Sequence, residues 1–137
     1  MKAVIDTNVL ISGLFWNGTP KRVLLSWIAK HFEWVATPEI LEEYWRSFDQ
    51  LSRIYGTPKD GYDFLRFLGS NVTIAAPVHF HEQVCSDPDD DKFVSAALAG
   101  SASIIATGDK ALLKVDGYQG LRIIKPAVFL KLIARNP

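Results

Sequence analysis

The strongest constraint on the fold of this 137-residue chain is a run of four aspartates within five positions, Asp87, Asp89, Asp90 and Asp91. The run lies directly before the apolar stretch 92–99. Because adjacent carboxylates repel one another, a fold that holds them together needs a compensating positive charge. The sequence therefore predicts a cation, or a metal ion carrying a phosphate, at this point in the chain.

Short apolar runs alternate with amphipathic segments along the chain. We predict strands over 3–5, 33–36, 71–75, 104–106 and 121–124. We predict helices over 20–30, from 38 to beyond 48, over 60–68, 90–100 and 110–114, and from 126 to about 133. A turn is predicted at Gly69 and Ser70, and the apolar stretch 9–15, interrupted by Ser12 and Gly13, is assigned to no element. Strands that alternate with helices indicate a parallel sheet with helices on both faces.

The composition argues against several classes of protein. Fifteen basic and fifteen acidic residues give a formal net charge of zero, so no overall field directs the chain toward nucleic acid or an anionic membrane. The N-terminal apolar run is too short for a signal peptide, and no apolar run is long enough to span a membrane. The single cysteine, Cys85, is expected to be a buried thiol in a reducing compartment. We therefore expect a soluble, cytoplasmic protein with one domain over 1–137.

Two further acids follow predicted buried strands. Asp6 comes directly after the run 3–5, and Asp109 comes soon after the run 104–106. The carboxyl edge of an open α/β sheet is where ligands bind, so both side chains are candidates for a site. Each acid also has a structural alternative, since Asp6 can cap the turn that follows it and Asp109 can be the N-cap of the segment 111–113.

The helix predicted after the N-cap residue Thr37 carries three glutamates. The helix dipole favours negative charge in the first turns, which alone can account for Glu39, Glu42 and Glu43. Glu42 has Arg46 four residues ahead and is expected to form an exposed ion pair. Glu43 has no cation at that spacing and shares its face with Glu39, so we predict that it meets an external cation such as a metal.

The members of the aspartate run are expected to have different roles. One of Asp89, Asp90 and Asp91 is predicted to be a helix N-cap, and Asp87 and Asp89 are expected to shape the turn and the cap. Helix spacing places Asp90 on the face that carries the core stripe, but it places Asp91 in a similar position and does not separate the two. Lys92 alone cannot balance four negative charges.

The types of side chain indicate which ion suits these acids. Their segments contain carboxylates but neither cysteine nor histidine, which favours a hard cation such as Mg²⁺ or Mn²⁺ over zinc. The alternation of His79, Phe80 and His81 before Glu82 is typical of exposed histidines in a loop or an edge strand. His31 is assigned no role.

Four segments in this order resemble the PIN-domain nucleases: 6–10, 37–44, 87–93 and 107–113. They extend over most of the chain, and they are most similar to the VapC-like toxins of bacterial and archaeal toxin–antitoxin pairs. The resemblance implies a three-layer α/β/α sandwich around a parallel sheet of about five strands, and a ribonuclease site that depends on Mg²⁺ or Mn²⁺. It also implies an RNA substrate, a small antitoxin protein that blocks the site, and a homodimer.

Carried over by position, the resemblance implies four catalytic and metal-binding acids: Asp6, Glu43, Asp90 and Asp109. The supporting residues that it implies, which orient carboxylates or waters, are Thr7, Asn8, Asp91 and Thr107. In the implied reaction, one or two bound ions activate a water molecule and stabilise charge on the phosphate.

Other functions stay open on the sequence. A HAD-like phosphatase with Asp6 as nucleophile requires an Asp-x-Asp pair, but Asn8 stands at the second position. A catalytically inactive PIN-like RNA-binding module is disfavoured because all four acids are present. Lys92 and Lys110 can contact substrate phosphates, although exposed surface lysines are the favoured interpretation. Trp16 can stack on an unpaired base, although packing on the core or at a dimer contact is favoured.

Overall fold

A parallel sheet of five strands organises the computed structural model, which describes residues 1–79 and 82–135. Its strands are β1 Lys2–Ile5, β2 Glu33–Ala36, β3 Thr73–Ile74, β4 Ile104–Ala106 and β5 Arg122–Ile124. The order across the sheet is β3-β2-β1-β4-β5, and every neighbouring pair is parallel. The predicted α/β fold with a parallel sheet is confirmed.

The strand order places the ends of β1 and β4 at a switch point of the sheet. The chain runs outward from β1 through β2 to β3, and then returns to β4 on the other side of β1. The backbone N–H of Asp6, just after β1, donates to the carbonyl of Ala106 at the end of β4, at 3.0 Å. In open α/β sheets the ligand crevice lies outside the carboxyl ends of the strands at such a point. The topology therefore indicates a site beside Asp6.

Seven helices connect these strands in the described part of the chain. They are α1 Thr7–Phe15, α2 Thr19–Ile28, α3 Pro38–Tyr55, α4 Gly61–Asn71, α5 Asp91–Ala99, α6 Lys110–Leu113 and α7 Pro126–Arg135. Short 3₁₀ turns cover Pro88–Asp90 and Tyr118–Gly120. Helix α5 packs against β1, β2 and β4, whereas α2 contacts α1 and α7. The arrangement agrees with the expected α/β/α layers, and within 1–79 and 82–135 no helix has the length and apolar character needed to cross a membrane.

Helix α4 differs from the sequence prediction at its end. It continues through Gly69 and Ser70 to Asn71, so the turn predicted at these two residues is wrong and β3 is limited to Thr73–Ile74. A Cβ at Gly69 would meet nothing within 4 Å, so this position lies on an open side of the helix. A glycine there costs about 1 kcal/mol relative to alanine, which a helix with a packed apolar face can tolerate.

Helix α1 covers the stretch 9–15 that the sequence pattern leaves without an element. A Cβ at Gly13 would stand 2.7 Å from Leu24 Cδ1 of α2 and 3.0 Å from the Pro20 carbonyl oxygen. Gly13 therefore marks a close contact between two helices rather than a break in one. This contact holds α1, which begins at Thr7 beside the sheet edge, against α2.

A buried aromatic pair attaches helix α3 to the end of β1. The Tyr44 hydroxyl donates to the Ile5 carbonyl oxygen at 2.5 Å and accepts from Trp34 Nε1 at 3.2 Å. Both rings are fully buried, and burial raises the pKa of Tyr44, so its hydroxyl stays protonated. These bonds fix the position of α3 and bring Glu43, the residue before Tyr44, to the carboxyl edge of β1.

Candidate active site

The four acids implied by the sequence all line one cleft at the carboxyl edge of the sheet. The cleft has a volume of about 260 Å³. Asp6 comes from the end of β1, Glu43 from α3, Asp90 from the turn before α5, and Asp109 from the start of α6. The other lining residues are Thr7, Asn8, Ser47, Asp87, Asp89, Lys92 and Phe93. The fold therefore brings together carboxylates that lie far apart in the sequence.

Asp6 is a buried carboxylate that a threonine near the end of β4 holds in place. It is 4% exposed, and Thr107 Oγ1 donates to its Oδ2 atom at 2.6 Å. Burial raises the pKa of Asp6, the Thr107 hydroxyl and the Asn8 backbone N–H lower it, and the charges of Asp109 and Glu43 raise it again. Asp6 stands at the N-cap position of α1, but its strongest side-chain hydrogen bond is the one from Thr107 rather than one from the helix.

Asp109 is fixed by hydrogen bonds of both its side chain and its backbone. Its Oδ1 atom accepts from the backbone N–H groups of Ala111 at 2.7 Å and Leu112 at 3.4 Å, so it is the N-cap of α6. Its own N–H donates to Thr107 Oγ1 at 2.9 Å. Thr107 thus connects Asp109 to Asp6. The N-cap alternative is confirmed for Asp109, and the same side chain also lines the cleft.

Asp90 has the least compensated carboxylate of the cleft. It is 7% exposed, and its Oδ2 atom is buried without a hydrogen-bond partner among the described residues. Burial first, and then the charges of Asp109, Asp87 and Asp6, raise its pKa to about 7, while Lys92 lowers it. A carboxylate in these surroundings gains strongly from a bound cation.

The helix N-cap predicted among Asp89, Asp90 and Asp91 is confirmed by position as Asp90, but the side-chain capping bond in the run is made by another aspartate. Asp90 occupies the N-cap position of α5 but makes no capping hydrogen bond, and Asp91 is the first residue of that helix. Asp87 caps the preceding 3₁₀ turn instead, because its Oδ1 atom accepts from the Asp89 N–H at 3.0 Å. The extra turn uses Asp87 as its cap and leaves Asp90 directed into the cleft.

Asp91 faces a different part of the structure from Asp90. Its two oxygen atoms accept from the backbone N–H groups of Val84 at 3.0 Å and Cys85 at 2.7 Å. It lines a neighbouring cleft of about 410 Å³ rather than the cleft of the four acids. Asp91 therefore holds the segment that leads into the aspartate run. Tertiary contacts therefore give Asp90 and Asp91 different surroundings, a difference that helix spacing does not predict.

Glu43 and Lys92 form an ion pair that corrects the interpretation of Lys92. Lys92 Nζ pairs with Glu43 Oε1, and Thr7 Oγ1 donates to Glu43 Oε2. The side chains of Lys92 and Glu43 are only 14% and 19% exposed. The interpretation of Lys92 as a solvated surface lysine is therefore wrong, and Glu43, which has no cation at helix spacing on α3, has one elsewhere in the protein. The cation comes from α5, which periodicity along α3 cannot reveal.

The exposed pair between Glu42 and Arg46 is confirmed, with 3.9 Å between Oε1 and Nη1. Ser47, one turn after Glu43 on the same face of α3, also lines the acidic cleft. Ser47 was not predicted as a site residue, although its spacing of four residues from Glu43 is the signal that could have identified it. Lys110, in contrast to Lys92, is exposed.

The remaining candidates lie away from the four acids. Trp16 is 50% exposed, and its ring lies 5.7 Å from the rings of both Phe15 and Tyr55, measured between centroids. Cys85 is buried as expected, and burial together with Asp91 raises its thiol pKa to about 12. In the proposed histidine alternation, Phe80 and His81 lie outside the described residues, while His79 and Glu82 are exposed.

The donor chemistry of the cleft fits a hard divalent cation. Among the residues that the structure describes, its lining offers carboxylates as ionisable ligands and no imidazole or thiol. The orphaned Asp90 Oδ2 is the atom that most needs such a partner. In their present positions, however, the Asp, Glu, His and Cys side chains of 1–79 and 82–135 form no group of three or more that could hold one metal ion.

Residues 2–111 match the family model of the PIN domain, and this match contains all four acids. The chain belongs to the PIN domain family. It is also similar to "Uncharacterized protein MJ1680" of Methanocaldococcus jannaschii, with 32% identity over 117 residues that cover 84% of this chain and 75% of that protein. PIN domains are generally nucleases and usually use divalent metals. Because the chain belongs to this family, the HAD-like phosphatase that the sequence left open is set aside.

Proposed function

We propose that this PIN domain is an endoribonuclease that uses bound Mg²⁺ or Mn²⁺, with Asp6, Glu43, Asp90 and Asp109 as its catalytic and metal-binding residues. The observation that carries the proposal is the unpartnered Oδ2 atom of buried Asp90 within a cleft of carboxylates. Burying a carboxylate oxygen without a donor is costly unless a cation binds it. The family provides the reaction class, hydrolysis of nucleic acid.

The charge of the cleft explains why such a reaction needs metal. Within 1–79 and 82–135, six acidic side chains and one lysine line it, so a phosphate group that approaches the metal-free cleft meets net repulsion. A bound divalent ion supplies a Lewis acid for the phosphate and lowers the pKa of a bound water. The protein groups position the ligands: Thr107 orients Asp6, and backbone N–H groups of α6 orient Asp109.

The proposal is tested with an RNA oligonucleotide and a DNA of the same sequence in EDTA, Mg²⁺ or Mn²⁺. We expect cleavage of the RNA only with added metal, and loss of cleavage in Asp90→Asn and Glu43→Gln. Glu42→Gln is the matched control because Glu42 adjoins Glu43 on α3 but is exposed and paired with Arg46. Cleavage in EDTA, or full activity of Asp90→Asn, would contradict the proposal. Cleavage of the DNA alone would assign a different substrate.

We also propose that the protein is the toxin of a toxin–antitoxin pair, that a small antitoxin protein blocks the cleft, and that the toxin forms a homodimer. The resemblance to VapC-like proteins supports this role, and the exposed rings of Trp16 and Tyr55 offer apolar surface for a protein contact. Induced expression should stop growth, and co-expression of the product of a neighbouring gene should restore it. Sedimentation of the purified protein should give the mass of a dimer. Unaffected growth, or a monomer, would contradict the corresponding part.

An inactive RNA-binding module is the second candidate, because no three ligand side chains in the described part of the chain are already grouped around one point. The two candidates differ in one measurement. An inactive module binds RNA equally well with EDTA and with Mn²⁺ and leaves the RNA intact. A nuclease cleaves the RNA when Mn²⁺ is added. We favour the nuclease because a role in binding alone does not account for the buried, uncompensated Asp90.

A further inference from the structure

The acidic cleft has two halves that differ in how their charges are compensated. In the strand-end half, which we define as Asp6, Asp90 and Asp109, the charge of Asp109 raises the pKa of both other acids, and the charge of Asp6 raises that of Asp90. In the helix half, defined as Thr7, Glu43 and Lys92, the carboxylate has a cation and a hydroxyl donor. Within the described residues, the pair between Glu43 and Lys92 is the only ion pair in the cleft.

Lys92 occupies a largely buried position, unlike a solvated lysine. Its side chain is only 14% exposed, and it lines both the acidic cleft and the neighbouring cleft that contains Asp91. An ammonium group removed from water needs a charged partner, and Glu43 provides it. Lys92 Nζ contacts Oε1 of Glu43 while the Thr7 hydroxyl donates to Oε2. Both oxygen atoms of Glu43 are therefore already engaged.

We infer that Lys92 is a resident cation of this site, whose ammonium group competes with a divalent metal ion for the carboxylate of Glu43. The inference rests on the proposed function, since it presupposes that the cleft binds metal. A metal ion at Oε1 would lie within contact distance of the ammonium group, and repulsion between the two positive charges makes them compete for this carboxylate. The first ion therefore binds in the strand-end half, and Glu43 becomes a ligand only when Lys92 moves away. Lys92 thereby sets the metal affinity of the whole site.

The test is a double-substitution cycle measured by isothermal titration of Mn²⁺ into the metal-free protein. Lys92→Met keeps the aliphatic part of the side chain and removes the charge. We expect it to tighten Mn²⁺ binding about tenfold, the size of a moderate coupling between two binding events. In a Glu43→Gln background the same substitution should change the affinity by less than about twofold, because the contested ligand is absent.

Lys110→Met is the matched control. Lys110 also follows a cleft acid at the start of a helix, but it is exposed, so its removal should leave the affinity unchanged. Lys92→Gln provides a second neutral variant, and circular dichroism verifies that each variant is folded.

Equal tightening in both backgrounds would overturn the inference, because Lys92 would then act only through its general field. No tightening in either neutral variant would also overturn it. Absence of Mn²⁺ binding in every variant, including the unsubstituted protein, would instead refute the proposed function and the inference with it.

Discussion

The two halves of the acidic cleft are built by different means. In the strand-end half, Asp6 and Asp109 follow adjacent parallel strands, and the Thr107 hydroxyl joins them. In the helix half, Glu43 and its partner Lys92 lie on two helices, and packing of α3 and α5 brings them together. The first arrangement follows from strand pairing, whereas the second requires the complete fold. The comparison shows why the same cleft holds uncompensated carboxylates beside an internal ion pair.

The largest expected effect is the loss of Mn²⁺ affinity in one of two variants that should both lose RNA cleavage. Asp90→Asn should weaken Mn²⁺ binding by more than the roughly 100-fold that loss of an outer partner can cost, because it removes the unpartnered ligand itself. Glu43→Gln should change Mn²⁺ affinity less than about threefold, because Lys92 already occupies that carboxylate. Both variants should lose RNA cleavage. Calorimetry and a cleavage assay on the same samples measure both quantities. If the two variants lost Mn²⁺ affinity equally, the distinction between the two halves of the cleft would be wrong.

The strand-end half should also make the stability of the metal-free protein depend on pH. The pKa of Asp90 is raised from 3.8 to about 7 in the fold. The folded state therefore binds a proton that the unfolded state releases above about pH 4, and stability falls as pH rises from about 4 to 7. We expect a loss of roughly 2–4 kcal/mol over this range. Urea unfolding in EDTA measures it, with Asp90→Asn as the variant in which most of the dependence should vanish.

Added Mn²⁺ provides the complementary measurement at pH 8. The ion should restore stability to the unsubstituted protein, because it neutralises the same carboxylates that repel one another. A midpoint in urea that does not respond to Mn²⁺ would show that Asp90 has no role in metal binding.

The helix half should respond to the loss of its own cation. In EDTA, Lys92→Met should lower the free energy of unfolding by about 1–3 kcal/mol, because Glu43 keeps its charge and loses its ion-pair partner. Mn²⁺ should reverse most of this loss. Lys110→Met should alter neither value, since Lys110 is exposed. If Lys92→Met were as stable as Lys110→Met, the ion pair would contribute little to the free energy of unfolding.

The smallest effects should come from the two threonines. Thr107→Val removes the donor to Asp6 and the acceptor of the Asp109 N–H, and should cost about 1–2 kcal/mol. It should also weaken Mn²⁺ binding about tenfold, as loss of an outer partner does. Thr7→Val removes one bond to Glu43, which retains Lys92, and should cost less than about 1 kcal/mol. Equal effects on Mn²⁺ affinity would contradict the assignment of the first ion to the strand-end half.

Local signals in the sequence predicted the parts of the fold that depend on a few neighbouring residues. Thr37 is the N-cap of α3, since its hydroxyl accepts from the Ile40 N–H at 3.3 Å. The exposed pair between Glu42 and Arg46 follows from helix spacing. Asp6 lies at the sheet edge because β1 ends at Ile5. In each case the interacting residues are at most four positions apart, or the strand pattern itself fixes the position.

The wrong predictions share a different cause. Gly13 and Gly69 suggested breaks, yet both lie inside helices, one against Leu24 and the other on an open side. Asp90 holds the expected N-cap position of α5 without a capping hydrogen bond, because the run begins with a 3₁₀ turn that Asp87 caps. The missing partner of Glu43 was present on another helix. A single sequence does not show which residues of another helix will pack against a glycine, nor which charged side chain will lie beside a given carboxylate after folding.

The sequence by itself determined that acids would stand at the carboxyl edge of a parallel sheet, because strand and helix periodicities place Asp6 and Asp109 there. Only the tertiary structure decided how each charge is compensated. It left Asp90 buried with an unpartnered oxygen, engaged Asp91 with the backbone at Val84 and Cys85, and supplied Lys92 to Glu43. The physical reason is that burial and charge pairing depend on distances across the fold, which residue spacing along the chain does not specify.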